Sequence, residues 1–158
     1  MNLTDIFISH SHEDKTLAEA VTQLLRDTID LNGGKIRCTS AYGSDLAIGS
    51  KFAKRLRRDI EASEVMIAIL SESFMTSQFC LFELGAAWGL KIPLKPILAP
   101  GFDADSLDRP LSDLNPLRWQ SQTDWIKLLE EIADLTDGDL EESVILHGKV
   151  TEFCAHKF

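Results

Sequence analysis

Cationic charge is scarce in this chain: 16 Lys and Arg against 25 Asp and Glu leave a formal net charge of −9 over 158 residues. An acidic surface repels phosphate backbones, which argues against nucleic-acid binding. Cysteine is scarce too. The three present, Cys38, Cys80 and Cys154, lie far apart and form no CxxC pair. That leaves neither the ligand spacing of a zinc site nor a disulfide framework. An odd cysteine count, with no basic and apolar leader at the start of the sequence, fits a reducing compartment, so a cytoplasmic protein is expected. The longest apolar run covers only 65–70, far short of the ~20 residues that span a bilayer, so no membrane association is expected. Internal repeats and low-complexity tracts are also missing.

What is present suits one globular domain. Hydrophobic residues make up 44% and charged residues 26%, enough apolar material for a single core. Ile6-Phe7-Ile8 reads as a buried strand. Ser11 and Asp14 are spaced like a capping box. Leu17, Val21, Leu24, Leu25 and Ile29 then recur at helical spacing, which predicts an amphipathic helix over 14–30, stopped by Asn32-Gly33-Gly34. Residues 35–39 (KIRCT) read as a second strand and 40–50 (SAYGSDLAIGS) as a long loop. A helix is predicted over 51–62, with Phe52, Leu56 and Ile60 on one face. The run 65–70 (VMIAIL) is apolar throughout, as a central strand covered on both faces should be. Residues 79–90 (FCLFELGAAWGL) suit a largely buried helix. A strand over 93–98 carries two prolines and is expected to be short or irregular. Trp119 marks a final short strand, and a last helix covers 125–135. A first domain is thus assigned to 1–136, with 137–158 a tail or linker of unassigned role.

Strands that alternate with helices imply βαβ units and a mostly parallel sheet. The fold class expected is α/β, a flavodoxin-like doubly wound sheet of five strands in the order 2-1-3-4-5 with helices on both faces. In that order the first and third strands are neighbours, and ligands bind at the switch point beyond their carboxyl ends. Those ends are Ser9-His10 and Ser71.

Three segments resemble the Toll/interleukin-1 receptor (TIR) family. Asp5-Ile6-Phe7-Ile8-Ser9-His10-Ser11 is similar to its opening box. The loop from Ser40 to Ser50 corresponds to its BB loop. Ser77-Gln78-Phe79-Cys80-Leu81-Phe82-Glu83-Leu84 looks like the segment that carries the glutamate of the NAD-cleaving members. The match covers about 4–135, and FELGAAWG with RCTS is closer to prokaryotic defence-type members than to animal receptors. Many members carry tryptophan where Phe79 stands; Phe79 keeps the aromatic surface and loses the indole N–H.

The resemblance implies an NAD+ nucleosidase (NADase) that cleaves the nicotinamide–ribose bond to give nicotinamide and ADP-ribose or a cyclic isomer. NAD+ is then the substrate, and no cofactor or metal is implied. The leaving group departs neutral, so no general acid is needed, and positive charge develops on the ribose as in an oxocarbenium ion. One carboxylate can stabilise that charge. Glu83 is the candidate, in an apolar setting where a carboxylate costs several kcal/mol unless satisfied. Ser9, His10 and Ser11 follow the first strand at the predicted cleft, and each is a candidate NAD contact or a polar closure of the strand. Phe79 and Trp88 could stack on nicotinamide or adenine, although Trp88 also suits core packing. Asp45 could reach a ribose hydroxyl or simply be solvated. Phe7 is expected in the core.

Lys51, Lys54, Arg55, Arg57 and Arg58 form the one basic cluster. It is either a solvated helix face or an assembly surface that meets the acidic helix of another copy (Asp124, Glu130, Glu131, Asp134), a heterologous contact that builds open filaments. The resemblance also implies self-association through the 40–50 loop, and a sensor domain or protein as partner. Three rival readings stay open. One is a non-catalytic TIR scaffold. A second is a phospho-receiver, which needs clustered acids at the end of the first strand for Mg²⁺. The third is a nucleoside deoxyribosyltransferase-like enzyme.

Overall fold

The computed structural model describes residues 5–38 and 50–158, with side chains from 6 to 38 and from 54 onward. Five strands form one parallel sheet: β1 (Asp5–Ser9), β3 (Lys35–Cys38), β4 (Ser63–Leu70), β5 (Leu94–Leu98) and β6 (Leu117–Arg118). Their order across the sheet is β3-β1-β4-β5-β6. Counted along the chain this is the expected 2-1-3-4-5, because the additional strand β2 (Ile29–Asp30) belongs to a separate two-stranded ribbon with β7 (Asp139–Leu140).

Alternation along the strands sorts the core into two layers. Ile6, Ile8, Val65, Ile67 and Ile69 face α1 (Lys15–Thr28), α5 (Gln122–Thr136) and α6 (Ser143–Ala155). Phe7, Met66, Ala68 and Leu70 face α2 (Ser50–Glu61), α3 (Glu72–Thr76) and α4 (Gln78–Gly89) on the other side. Each fully buried side chain of this size contributes about 1.5–3 kcal/mol of transfer free energy, and every residue from Val65 to Leu70 is buried. β4 is therefore the central strand its unbroken apolar run predicts.

Several boundaries differ from the sequence expectation for identifiable reasons. The first helix ends at Thr28, because Ile29 and Asp30 leave it to pair antiparallel with Leu140 and Asp139. Ser11 and Asp14 do not form a capping box. The Ser11 hydroxyl donates to the Asp14 carboxylate at 2.7 Å, within a short 3-10 turn. Pro96 sits in register with Ala68 inside a regular five-residue strand. It is tolerated there because β6 begins beside Ile97, so β5 is an edge at the proline. Residues 137–158 form β7 and α6, and α6 buries Leu146 and Val150 against the first layer. No helix among the described residues is long and apolar enough to cross a membrane.

Candidate functional site

The first and third strands of the order end side by side: Ser9, the last residue of β1, pairs with Ala68 of β4. α4 crosses this end. Ser77 caps it, accepting from the Cys80 N–H at 3.3 Å. Its inward residues are Cys80, Glu83, Leu84 and Ala87, spaced at i, i+3, i+4 and i+7 as one stripe of a helix. Glu83 occupies an apolar position of that stripe and has 0% of its surface exposed. A carboxylate so placed requires compensation. Ser9, equally buried, donates its hydroxyl to Glu83 Oε2 at 2.6 Å. The bond joins residues 74 positions apart and fastens α4 to the carboxyl end of β1.

His10 and Ser11 follow directly and are buried as well. His10 Nδ1 lies 2.7 Å from the Ser11 carbonyl oxygen. A carbonyl only accepts, so the proton is on Nδ1 and Nε2 carries the lone pair. Desolvation lowers the His10 pKa below its ordinary 6.5, outweighing the opposite effect of that hydrogen bond.

Beside this pair lies a polar cluster that sequence reasoning did not assemble. The Asp14 carboxylate accepts from Ser11 and from Ser71. Ser73 Oγ lies 3.0 Å from Ser11 Oγ and 3.1 Å from Ser71 Oγ. Each hydroxyl has one proton, and those of Ser11 and Ser71 are committed to Asp14, so Ser73 donates to one of them. Ser71 also accepts from the Phe74 N–H at 3.0 Å as the cap of α3. The cluster thus ties the carboxyl ends of β1 and β4 together. Its sequence signal was the serine run after the apolar strand, but nothing local connects Ser71 to an aspartate 57 positions earlier.

The structure brings Ser9, His10, Ser11 and Glu83 to one place. Phe79 is half-buried in the first turn of α4, packed on the second core layer. Trp88 is different. It is 65% exposed, so it belongs neither to the core nor to the buried end of the strands. Five residues after Glu83 on a helix is about 140° of rotation, and α4 turns its inner side to the sheet. Asp45 and the 40–50 segment through Gly49 lie outside the described residues. Open clefts of about 1070 Å³ and 560 Å³ occur elsewhere, beside the β2–β7 ribbon and beside β5 and β6. Neither is lined by Ser9, His10, Ser11 or Glu83.

Comparison with known proteins gives a consistent assignment. The family model described as TIR domain matches residues 6–137. The uncharacterized protein YddK of Bacillus subtilis (strain 168) is 26% identical over 137 residues, covering 87% of this chain. The chain spans about half of that relative, 51% of its length. Among solved structures, the TIR domain of the Toll-related receptor TRR-2 from Hydra magnipapillata aligns with a TM-score of 0.58 at 22% identity, over 80% of this chain and 96% of that one. The TIR domains of the activated Roq1 resistosome, recognizing the pathogen effector XopQ, align with a TM-score of 0.49 at 15% identity, over 96% of this chain and 83% of that one. With the family model spanning most of the sequence and the sheet order in agreement, the chain belongs to the TIR domain family.

Proposed function

We propose that this TIR domain is an NAD+ nucleosidase of the prokaryotic, defence type, acting in the cytoplasm, with Glu83 as its catalytic residue. The observation that carries the reading is a carboxylate with no exposed surface, held by Ser9 at the switch point of the sheet. Cleavage breaks the bond between the nicotinamide nitrogen and the ribose anomeric carbon. Both electrons leave with neutral nicotinamide, and the ribose passes through an oxocarbenium-like state that a nearby carboxylate stabilises. Water, or a nucleophile within the ADP-ribose itself, then bonds to the anomeric carbon and releases a proton. Ser9 holds the carboxylate in place, and His10 and Ser11 stand where ribose or phosphate oxygens would be met.

Because Glu83 is wholly covered, NAD+ reaches it only after neighbouring segments move. Activity in this reading therefore depends on a conformational step. Self-association through the 40–50 segment and a sensor partner are the proposed triggers. The same burial favours a second reading, a non-catalytic TIR scaffold in which Ser9–Glu83 is only a structural tie.

Nicotinamide release from NAD+, followed by chromatography at high protein concentration with a crowding agent, separates the two. Wild type should release nicotinamide, and a folded Glu83→Ala protein should not. Equal release from both would remove Glu83 from the mechanism. A wild type that is inactive even when assembled would leave the scaffold.

A further inference from the structure

Resting on a bilayer surface does not need a spanning helix; it needs an apolar strip bordered by positive charge. α4 has that form on its outer side. Gln78, Leu81, Phe82, Gly85, Trp88 and Gly89 are exposed. At about 100° per residue they fall within one arc of about 120°, away from the inward Cys80, Glu83, Leu84 and Ala87. Phe82 is 62% and Trp88 65% exposed, and a Cβ on Gly85 or Gly89 would meet nothing within 4 Å. No charged side chain lies on the strip. Large apolar residues grouped on one helix face mark a contact surface rather than ordinary scatter.

Positive charge borders the strip in two places. α2 packs beside α4, and from 54 to 61 it carries four cations (Lys54, Arg55, Arg57, Arg58) and two anions. Both anions are engaged within the molecule, Asp59 with Arg37 at 2.8 Å and Glu61 with Arg57 at 2.8 Å. Lys91 stands just past the end of α4, where its backbone N–H donates to the Trp88 carbonyl at 3.1 Å. Its side chain is exposed and has no ion pair among the described residues.

Much of the negative charge of the chain is gathered on the other side of the sheet. Residues 130–142 contain seven carboxylates and no Lys or Arg. They run from α5 through β7 to the start of α6, and α5 and α6 cover the opposite core layer. The exposed apolar residues of that side, Val144 and Ile145, directly follow Glu142, so an anionic surface repels them. A helix alone is about 10 Å across. Sheet and helix together therefore put more than a Debye length, about 10 Å at 0.1 M salt, between these acids and whatever touches α4. The net charge of −9 does not prevent this side from meeting an anionic partner.

We propose that α4 rests on an anionic lipid bilayer, with Phe82 and Trp88 seated among the headgroups and the cations of α2 and Lys91 against lipid phosphates. Charge and chemistry choose this occupant. From Leu81 to Gly89 the one outward side-chain group that hydrogen-bonds is the Trp88 indole N–H. Tryptophan, apolar in body and polar at one edge, settles at the boundary between hydrocarbon and water. Little on the strip fixes a protein partner in register, and a fluid bilayer needs no register. Each cation near an anionic surface strengthens binding about fivefold. The inference does not rest on NAD+ cleavage, because Glu83 points inward from α4.

Co-sedimentation of the whole chain with vesicles tests it, comparing phosphatidylcholine alone with two parts phosphatidylcholine to one part phosphatidylglycerol. Wild type should bind the mixed vesicles, bind phosphatidylcholine about tenfold more weakly or less, and come off as salt is raised. Two variants, checked for folding by circular dichroism, should bind the mixed vesicles more weakly. Phe82→Ser/Trp88→Ser should lose about tenfold or more, and Lys54→Gln/Arg58→Gln/Lys91→Gln roughly a hundredfold, at about fivefold per cation. Trp88 also reports directly. Trp119 and Trp125 are buried, so a blue shift of tryptophan emission on adding mixed vesicles should vanish in Trp88→Phe while binding persists. A wild type that stays in the supernatant with both vesicles overturns the proposal and leaves the strip to a protein partner. Equal binding to both vesicles, binding that neither multiple variant weakens, or a blue shift retained in Trp88→Phe overturns it as well.

Discussion

Replacing Ser9 with alanine isolates the bond on which the buried site rests. The Ser9 hydroxyl donates to Glu83 at 2.6 Å, and neither residue has exposed surface. A hydrogen bond to a charged group contributes about 1.5–3 kcal/mol. Its loss leaves a buried carboxylate one donor short with no solvent to substitute, so the upper part of that range applies, about 2–3 kcal/mol. This is a roughly 30- to 150-fold change in the folding equilibrium, and for a domain of this size a fall in Tm of about 4–12 °C. Urea unfolding followed by tryptophan fluorescence reads it directly, because Trp119 and Trp125 are buried and become exposed on unfolding. A double-mutant cycle sharpens the test. In a Glu83→Gln background the acceptor is neutral, so Ser9→Ala should cost less by about 1 kcal/mol or more. The reasoning is refuted if Ser9→Ala lies within about 0.5 kcal/mol of wild type, or costs the same in both backgrounds, since either means that Ser9 does not compensate the charge.

Three further outcomes follow from other parts of the structure. Phe74 plugs the second core layer from α3 with 0% exposure, so Phe74→Ala should lower unfolding free energy by about 3–5 kcal/mol in the same urea assay. Two glycines should respond in opposite directions. A Cβ on Gly138 would meet Ile29 Cγ2 at 2.8 Å and the Asp30 carbonyl at 3.1 Å, so Gly138→Ala should destabilise by about 1–3 kcal/mol. Gly148, inside α6 with nothing within 4 Å, should gain roughly 1 kcal/mol as alanine, read as a higher Tm. Finally, burial holds the His10 pKa below 6.5, so the unfolded chain binds the proton more readily than the folded one. The stability contributed by this group is complete above pH 6.5 and is lost as pH falls from 6.5 toward the lowered folded value. Chemical unfolding across that range should lose this part of its slope in His10→Gln.

Much of the fold was legible because its strongest signals are local. β4 announces itself by six apolar residues in a row, which only a strand covered on both faces places comfortably. α1 shows its inward stripe at 3.6-residue spacing, and Val21, Leu24 and Leu25 are indeed buried. α4 was legible as a helix but not as to which side faces in. Its residues are apolar nearly all round, so periodicity cannot separate Leu84, which is buried, from Trp88, which is not. α3 is five residues long, too short for any periodicity to register. Of the site, Ser9 and Glu83 could be named individually, but the bond between them depends on α4 crossing the end of β1. The link from Asp14 to Ser71 depends in the same way on β1 and β4 being neighbours. The tail was unreadable for another reason. β7 exists only because Ile29 and Asp30 offer it a partner.

That ribbon also constrains when the domain can form. β2 and β7 join segments far apart in the sequence, Ile29 pairing with Leu140 and Asp30 with Asp139, α6 rests on α1, and the Lys149 ammonium donates to the Asp27 carbonyl at 2.5 Å. During synthesis, which proceeds from the N-terminus, α1 emerges well before β7 and α6, the elements that cover its far end. Its outer apolar residues must wait, exposed, until α6 leaves the ribosome. Such distant pairing raises contact order and slows completion of the fold. A fragment cut at residue 137, where the family match stops, would stay permanently in that waiting state, prone to aggregate through the surface that Leu146 and Val150 normally close.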